Sequence, residues 1–112
     1  MNYKIIVTEK FSKNIKQLKK KYKKIKEDFD KCIALLEKNP FAGTFLGKGL
    51  YKLRVKSSDI SKGKSGGFRI IYYLITGDNT LYLLTIYPKS KIETISMEGI
   101  LRILNELQIE TD

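Results

Sequence analysis

The stretch Leu50–Tyr73, LYKLRVKSSDISKGKSGGFRIIYY, decides the fold of this chain. Its first part alternates apolar and basic residues, and the side chains of a strand point to opposite faces in turn. Its last part is rich in isoleucine and tyrosine, which favour strands, and the glycine- and serine-rich run between the two parts is typical of a loop. The stretch therefore predicts two antiparallel strands joined by a basic loop.

The first of these strands places three cations on one face. The basic face carries Lys52, Arg54 and Lys56, and the apolar face carries Tyr51, Leu53 and Val55. Like charges at next-nearest positions of one face repel each other unless an anion lies opposite, so the pattern indicates a polyanion site. The second strand adds Arg69 just after Gly66 and Gly67, where the missing side chains permit close approach of another backbone or a ligand.

Length and composition favour one small globular domain over residues 1–112, with 42% hydrophobic residues. The net charge is +10, from 22 Lys and Arg against 12 Asp and Glu, which favours nucleic acid or another acidic surface as partner. The charge is uneven, because residues 1–29 carry ten lysines and three acids whereas residues 89–112 carry three cations and five acids. We therefore expect a local basic surface that excludes the C-terminus.

The absence of histidine excludes most familiar nuclease chemistry. No histidine pair, Ser-His-Asp device or Cys-His device is possible, and most zinc sites are excluded too. Cys32 has no cysteine to pair with and stands among apolar residues, so we expect a small buried side chain. We predict no metal and no cofactor. No run reaches the roughly 18 apolar residues of a membrane span and no signal peptide is present, so we expect a cytoplasmic protein.

The N-terminal third predicts a strand at residues 3–7 and then helix. Apolar residues recur in steps of three and four from Phe11 to Leu36, without an intervening Gly or Pro, so one long helix offered to a partner is an alternative. Lysines at 19–24 followed by acids at 27–30 instead favour two helices with a turn near residues 22–24. The second helix should end at Asn39, before Pro40, and residues 41–49 should form a connector.

The C-terminal part predicts a turn at residues 76–79, a strand at 81–87 and a last helix from Ser96. The strands at 68–75 and 81–87 are apolar on both faces, so we expect them at the centre of the sheet with both faces covered. The predicted fold class is α+β. A small antiparallel sheet, in the element order β-α-α-β-β-β-α, should carry the N-terminal helical hairpin on one face.

Three segments, LYKLRVKS, GKSGGFRIIYYL and LYLLTIYPKS, resemble the RelE/ParE superfamily of bacterial type II toxins, and GKSGG-x-R resembles its RelE/HigB-like branch. The likeness covers nearly the whole chain. It implies a RelE-like fold and a ribosome-dependent mRNA endonuclease that inhibits translation. It also implies three partners, namely the ribosome, mRNA and a cognate antitoxin encoded beside the toxin.

The resemblance also implies roles for particular residues. It gives catalytic roles to four basic residues, Lys52, Arg54, Arg69 and Lys89, the last being replaced by Lys91 if the alignment slips. We expect RNA contacts from Lys56, Lys62, Lys64, Lys91 and Tyr87. Some relatives place a tyrosine near the C-terminus to help activate the attacking hydroxyl, but no tyrosine follows Tyr87 here. The general base is therefore open among Tyr87, Tyr73 and a lysine.

Such a site needs no metal, because RNA carries its own nucleophile in the ribose 2′-hydroxyl. Two guanidinium groups can brace the phosphate while a lysine, Lys52 or Lys56, accepts or donates a proton. Two other functions remain open, a ParE-like inhibitor of DNA gyrase and a basic RNA-binding module without catalysis. For Arg69 the alternative to catalysis is a structural ion pair with Asp78 or Glu93.

Overall fold

A computed structural model describes residues 3–59, 67–90 and 95–109 of the chain. The elements are β1 (Lys4–Val7), α1 (Glu9–Leu18), α2 (Ile25–Lys38), β2 (Thr44–Gly47), β3 (Leu50–Val55), β4 (Phe68–Ile75), β5 (Thr80–Pro88) and α3 (Met97–Glu106). The five strands form one sheet in the order β1-β5-β4-β3-β2. The predicted α+β class with an N-terminal helical hairpin is confirmed. One pair departs from the antiparallel prediction, because β1 runs parallel to β5.

The apolar stripe of the N-terminal third forms two helices, so the alternative of a single long helix is wrong. Thr8 caps α1 by accepting a hydrogen bond from the Phe11 N–H, and α2 ends immediately before Asn39 and Pro40, as predicted. Residues 19–24 make the turn. Tyr22 is buried there and packs edge-on against Phe68, with 5.0 Å between ring centroids, so the core itself holds the turn in place.

Each face of the sheet carries its own core, as the apolar central strands predict. We call the face under α1 and α2 the hairpin face; its core includes Phe11, Ile25, Leu36, Ile70, Tyr72 and Leu83. We call the opposite face the α3 face; its core includes Leu50, Ile71, Tyr73, Leu84, Ile100 and Leu104. None of the helices in the described ranges is both long enough and apolar enough to cross a bilayer.

The predicted connector at residues 41–49 contains an additional short strand, β2, which the sequence analysis did not predict. It pairs with β3 only at Leu50–Lys52, and the hairpin turn between them uses three consecutive residues with positive φ, Gly47, Lys48 and Gly49. Two glycines in this turn make the left-handed conformations accessible. The observed element order is therefore β-α-α-β-β-β-β-α, with β2 as an edge strand.

Candidate active site

Three polar side chains lie directly opposite one another on adjacent strands of the α3 face. Arg54 of β3 pairs with Arg69 of β4, and Arg69 pairs with Tyr87 of β5. Directly opposite residues of antiparallel strands share a face and have Cβ atoms about 5 Å apart. We call these three residues the cross-strand row. It runs from solvent into the protein, because Arg54 is exposed whereas Arg69 and Tyr87 are 7% and 5% exposed.

A β-bulge brings Tyr87 into this row. The pairing of β4 with β5 shifts between Ile71 and Tyr72, because Tyr72 pairs with Leu83 while Ile71 pairs with Thr85. Without the extra residue, Arg69 would pair with the residue before Tyr87. A slip of one residue moves a side chain to the other face of a sheet. The bulge therefore decides that the Tyr87 ring lies beside Arg69 and not on the hairpin face.

The Arg69 guanidinium is a buried charge without a carboxylate partner among the described residues. Its Nη1 donates one hydrogen bond, to the Phe68 carbonyl at 3.1 Å. Burial, and after it the charge of Arg54, lowers the pKa of Arg69, and Tyr87 acts in the opposite direction. An ion pair with Asp78 is not formed, and Glu93 lies outside the described residues. A buried cation without a counter-charge is unfavourable, so this position is suited to receive an anion.

The Tyr87 hydroxyl is a second unsatisfied group in the row. Its oxygen is buried and has no hydrogen-bond partner among the residues that the structure describes. Burial raises the pKa of Tyr87, and the neighbouring Arg69 charge and the Ile95 backbone N–H partly offset that effect. The Ile95 N–H approaches the oxygen outside ordinary hydrogen-bond geometry and only as a donor, so the hydroxyl proton itself has no acceptor. A buried donor left unpaired costs the folded state about 1–3 kcal/mol of stability, and a ligand that supplies an acceptor would remove this cost. The phenol is therefore a neutral donor beside a cation.

Gly67 holds the three strand ends together at the row. Its φ is +89°, and a Cβ at this position would lie 2.3 Å from the Val55 carbonyl oxygen, so only glycine fits. Its own carbonyl accepts a hydrogen bond from the Lys89 N–H at 3.2 Å. The prediction that a missing side chain permits close backbone approach is confirmed for Gly67, whereas Gly66 lies outside the described residues.

The remaining predicted site residues divide into three groups. Lys52 is half-buried opposite Ile71, on the same face as the row and two residues from Arg54, and Lys89 follows β5 at the same end of the sheet. Lys56 lies beyond the end of β3 and lines a groove beside α2, so it does not continue the Lys52 and Arg54 face as a strand residue. Three predicted RNA contacts, Lys62, Lys64 and Lys91, lie outside the described residues.

Two side chains proposed or considered as reactive groups are core residues. Tyr73 is 5% exposed within the α3-face core and stacks on Tyr82, so it does not join the row as a base. Cys32 is 5% exposed, and burial raises the pKa of its thiol to about 11. The thiolate is the nucleophilic form of cysteine, so the prediction of a small buried residue without catalytic function agrees with its environment.

Hydrogen bonds to α2 fix the chain after β3, and they were not predicted from the sequence. Asp28 of α2 is 4% exposed, and its carboxylate accepts hydrogen bonds from the Ser58 hydroxyl and from the Ser58 N–H, the latter at 2.9 Å. Asp59 in turn accepts from the Lys24 N–H at 2.9 Å, at the start of α2. The sequence contains a signal for the burial of Asp28. It stands three residues after Ile25 and four before Cys32, within the apolar stripe of the helix.

The row can bind a phosphodiester. Two guanidinium groups on neighbouring strands offer planar pairs of donors to phosphate oxygens, and the phenol adds a neutral donor. Lys52 and Lys89 bring further positive charge to the same end of the sheet. Fixed donors aimed at an anion stabilise the additional charge of a phosphoryl transition state. The arrangement is therefore chemically suited to hold a phosphate anion.

Comparison with known proteins agrees with this architecture. Residues 5–93 match the model of the family described as ParE toxin of type II toxin-antitoxin system, parDE. A mutant of the E. coli toxin RelE in the free state superposes with a TM-score of 0.64 at 21% identity, covering 93% of this chain and 100% of RelE. The toxin fold is also found in the intact E. coli RelBE toxin-antitoxin complex, with a TM-score of 0.57 at 20% identity over 75% of this chain and 93% of the matched chain.

At these identities the two structures establish a shared fold, whereas the family match covers most of the sequence. The predicted membership of the RelE/ParE superfamily is confirmed, and the finer assignment to a RelE/HigB-like branch stays a prediction. The chain belongs to the ParE toxin family of type II toxin-antitoxin systems, within the RelE/ParE superfamily.

Proposed function

We propose that this toxin is a ribosome-dependent mRNA endonuclease that needs no metal. One observation carries the proposal: Arg69 and the Tyr87 hydroxyl are buried side by side, next to Arg54. Among the described residues Arg69 has no carboxylate partner and donates only to the Phe68 carbonyl, and the Tyr87 hydroxyl has no acceptor. Unsatisfied buried donors of this kind are unfavourable for folding alone. A phosphodiester bound at the row would satisfy the guanidinium and the phenol together.

The ribose 2′-hydroxyl attacks the adjacent phosphorus in the proposed reaction. The bond from phosphorus to the 5′-oxygen breaks, which leaves a 2′,3′-cyclic phosphate on one fragment and a 5′-hydroxyl on the other. The proton of the 2′-hydroxyl passes to a base, and the departing 5′-oxygen receives a proton. Positioning of the hydroxyl and stabilisation of the additional phosphate charge supply most of the rate in such a reaction.

Each residue of the site takes a distinct role in this mechanism. Arg54 and Arg69 brace the non-bridging phosphate oxygens. Tyr87 donates a hydrogen bond, because its raised pKa favours the neutral phenol and disfavours the phenolate that a base would require. Proton transfer then falls to Lys52 or Lys89, which lie at the same end of the sheet.

The test combines programmed ribosomes, a defined mRNA and primer extension. We expect cuts that repeat with the codon register, 2′,3′-cyclic phosphate ends and the same rate in EDTA. Purified Arg69→Ala should leave the mRNA intact on the same ribosomes. Absence of cuts with a folded, antitoxin-free wild-type toxin would contradict the proposal, and loss of cutting in EDTA would contradict its chemistry.

Gyrase inhibition is the second candidate, because the matching family description is that of ParE from parDE systems. A toxin that acts by contacting a protein has no need of buried, unpaired guanidinium and phenol groups, and this favours RNA. Purified gyrase and relaxed plasmid separate the two activities. Double-strand breaks in the plasmid, together with intact mRNA, would assign the chain to gyrase. Binding of RNA with neither activity would leave a non-catalytic RNA-binding module.

The proposed partners are the ribosome, mRNA and a cognate antitoxin encoded beside this chain. The intact E. coli RelBE toxin-antitoxin complex contains a chain of the same fold, which supports the antitoxin as partner. The net charge of +10 favours acidic partners, and both RNA and an acidic antitoxin segment have that property. Coexpression should relieve growth arrest if the antitoxin is correctly identified.

A further inference from the structure

The bulge in β5 lies where this strand loses its outer neighbour. β1 pairs with β5 as far as Val7 and Leu83, whereas β5 continues to Pro88. The next residue, Leu84, is the one that the pairing with β4 leaves without an opposite residue. β1 is the last strand of the sheet on this side, and buried backbone groups need hydrogen-bond partners. Side chains must therefore supply the partners that a strand supplies elsewhere.

Thr8 provides the first of these partners. Its hydroxyl, on a residue that is 7% exposed, donates to the Leu83 carbonyl at 2.6 Å and also reaches the Leu84 carbonyl at 3.4 Å. Successive carbonyls of a regular strand point to opposite edges, so two of them meet one hydroxyl where a bulge has turned the backbone. The same oxygen accepts from the Phe11 N–H. One side chain thus joins the first turn of α1 to the bulge.

Asn14 of α1 provides the second partner. Its side-chain oxygen accepts hydrogen bonds from the Thr85 hydroxyl at 2.7 Å and from the Ile86 N–H at 3.4 Å. A backbone N–H can only donate, so the amide must present its oxygen to the strand. Thr85 is 6% exposed, and a hydroxyl buried to this degree would be unfavourable without a partner. Asn14 therefore satisfies the two residues that follow the bulge.

We propose that Thr8 and Asn14 are positioning residues, which hold the bulge and thereby place Tyr87 beside Arg69. Both act on the four residues of β5 that precede Tyr87. Without the bulge, Arg69 would pair with Ile86 and the Tyr87 ring would turn to the hairpin face. The importance of Tyr87 for cleavage rests on the proposed function, whereas the control of its position does not.

Cross-strand nuclear Overhauser effects in the free toxin measure the strand register directly. The wild type should show contacts between the backbone protons of Arg69 and Tyr87. Asn14→Leu keeps a side chain of similar size and removes the acceptor. In this variant we expect contacts between Arg69 and Ile86 to appear and the Ile86 amide to exchange about tenfold faster.

Gln17→Leu is the matched control for this measurement. Gln17 lies one turn further along α1 and is exposed, so its replacement should leave the contacts and the exchange rate as in the wild type. Wild-type contacts together with wild-type Ile86 exchange in folded Asn14→Leu would overturn the proposal. Equal changes in Asn14→Leu and Gln17→Leu would overturn it as well.

Rescue by a conservative variant separates positioning from packing. Asn14→Asp keeps an acceptor oxygen at the same place, and it should retain the wild-type register and a cleavage rate within about threefold of wild type. Asn14→Leu should cleave about tenfold more slowly per folded molecule, because the phenol no longer reaches the phosphate. Equal rates of the two variants would overturn the proposal.

A double-mutant cycle identifies the residue through which Asn14 acts. Tyr87→Phe removes the hydroxyl that the bulge positions. In that background, Asn14→Leu should lower the cleavage rate by less than about twofold, because the group it would misplace is already absent. Two independent losses would instead multiply to about a hundredfold, and this result would overturn the proposal.

Thr85→Val keeps the question decidable if Asn14→Leu does not fold. Valine preserves the β-branched shape and removes the hydroxyl, so we expect faster Ile86 exchange and a cleavage rate about threefold lower. Unchanged Ile86 exchange in this variant would overturn the proposal. If no protein cleaves mRNA, the wild type included, the endonuclease assignment fails while the cross-strand contacts still decide whether Asn14 sets the register.

Discussion

The two halves of the α3 face are built by the same three strands, β3, β4 and β5, but they satisfy their side chains differently. In the covered half, Leu50, Ile71 and Tyr73 pack with Ile100 and Leu104 of α3. In the other half, the Arg69 guanidinium has no carboxylate partner among the described residues and makes one hydrogen bond, to the Phe68 carbonyl. The Tyr87 ring belongs to the same core, but its hydroxyl has no acceptor among those residues. The first half contributes packing to the fold, whereas the second retains donors for a ligand.

Element lengths explain why one helix does not complete the whole face. α3 has 10 residues and spans about 15 Å at 1.5 Å per residue. β4 has 8 residues and spans about 26 Å at 3.3 Å per residue. A helix of this length covers only part of the strands beneath it. Arg54 of β3 and Arg69 of β4 lie at the other end of these strands. The comparison implies that substitutions in the row change rate, whereas those under α3 change stability.

The largest expected effect is that of Arg69→Ala on cleavage. Loss of one donor to the transition state costs about a hundredfold to a thousandfold in rate. The free energy of unfolding should stay constant or rise slightly, because the repulsion between Arg69 and Arg54 disappears. Single-turnover cleavage and urea unfolding measure the two quantities. Arg102→Ala, at an exposed position of α3, is the matched control and should retain the wild-type rate.

Leu104→Ala tests the covered half in the opposite sense. Leu104 is 2% exposed between α3 and the sheet, and loss of a buried leucine costs about 3 kcal/mol of unfolding free energy through the cavity that it leaves. The cleavage rate per folded molecule should change by less than about twofold. A large loss of rate in a fully folded Leu104→Ala protein would mean that the two halves are coupled and that the division proposed here is wrong.

Local sequence signals predicted most elements of this fold. The alternation at residues 51–55, the helix end before Pro40 and the last helix from Ser96 depend on neighbours in the chain, and each appears in the structure. β2 was missed because its four residues, Thr44–Gly47, show little periodicity, and only pairing with β3 makes them a strand.

The candidate site could be predicted only in part, because it depends on register. Lys52, Arg54 and Arg69 were found from alternation and from resemblance, and they do share the α3 face. The contact between Arg69 and Tyr87 requires the bulge at Ile71 and Tyr72. β5 is apolar on both faces, so its sequence contains no alternation that would reveal a shift of one residue.

On the hairpin face, Cys32 allows a test of a buried side chain to which no function is assigned. Burial raises the pKa of Cys32 from 9.0 to about 11, so the folded protein retains the thiol proton that the unfolded chain loses. This stabilisation is fully present below pH 9 and is lost as the pH rises to 11, a change of roughly 2 kcal/mol for a shift of this size. Urea unfolding of Cys32→Ala between pH 9 and 11 should therefore show a smaller loss of stability than wild type. Equal slopes in the two proteins would contradict the thiol assignment.

The sharpest test of the row is Tyr87→Phe, whose expected effect on cleavage is smaller than that of Arg69→Ala. Removal of a buried hydroxyl without a partner should raise the unfolding free energy by about 1 kcal/mol, because its desolvation is no longer a cost. Cleavage should fall about tenfold, since a neutral donor to the phosphate is lost. Tyr82→Phe, in the same strand but stacked on Tyr73 in the covered half, should leave the rate unchanged.

A Tyr87→Phe protein that is less stable than wild type would show that the hydroxyl has a partner in the free toxin, because removal of a hydroxyl lowers the unfolding free energy only when it makes a hydrogen bond. An unchanged rate would restrict the binding of RNA to the two arginines.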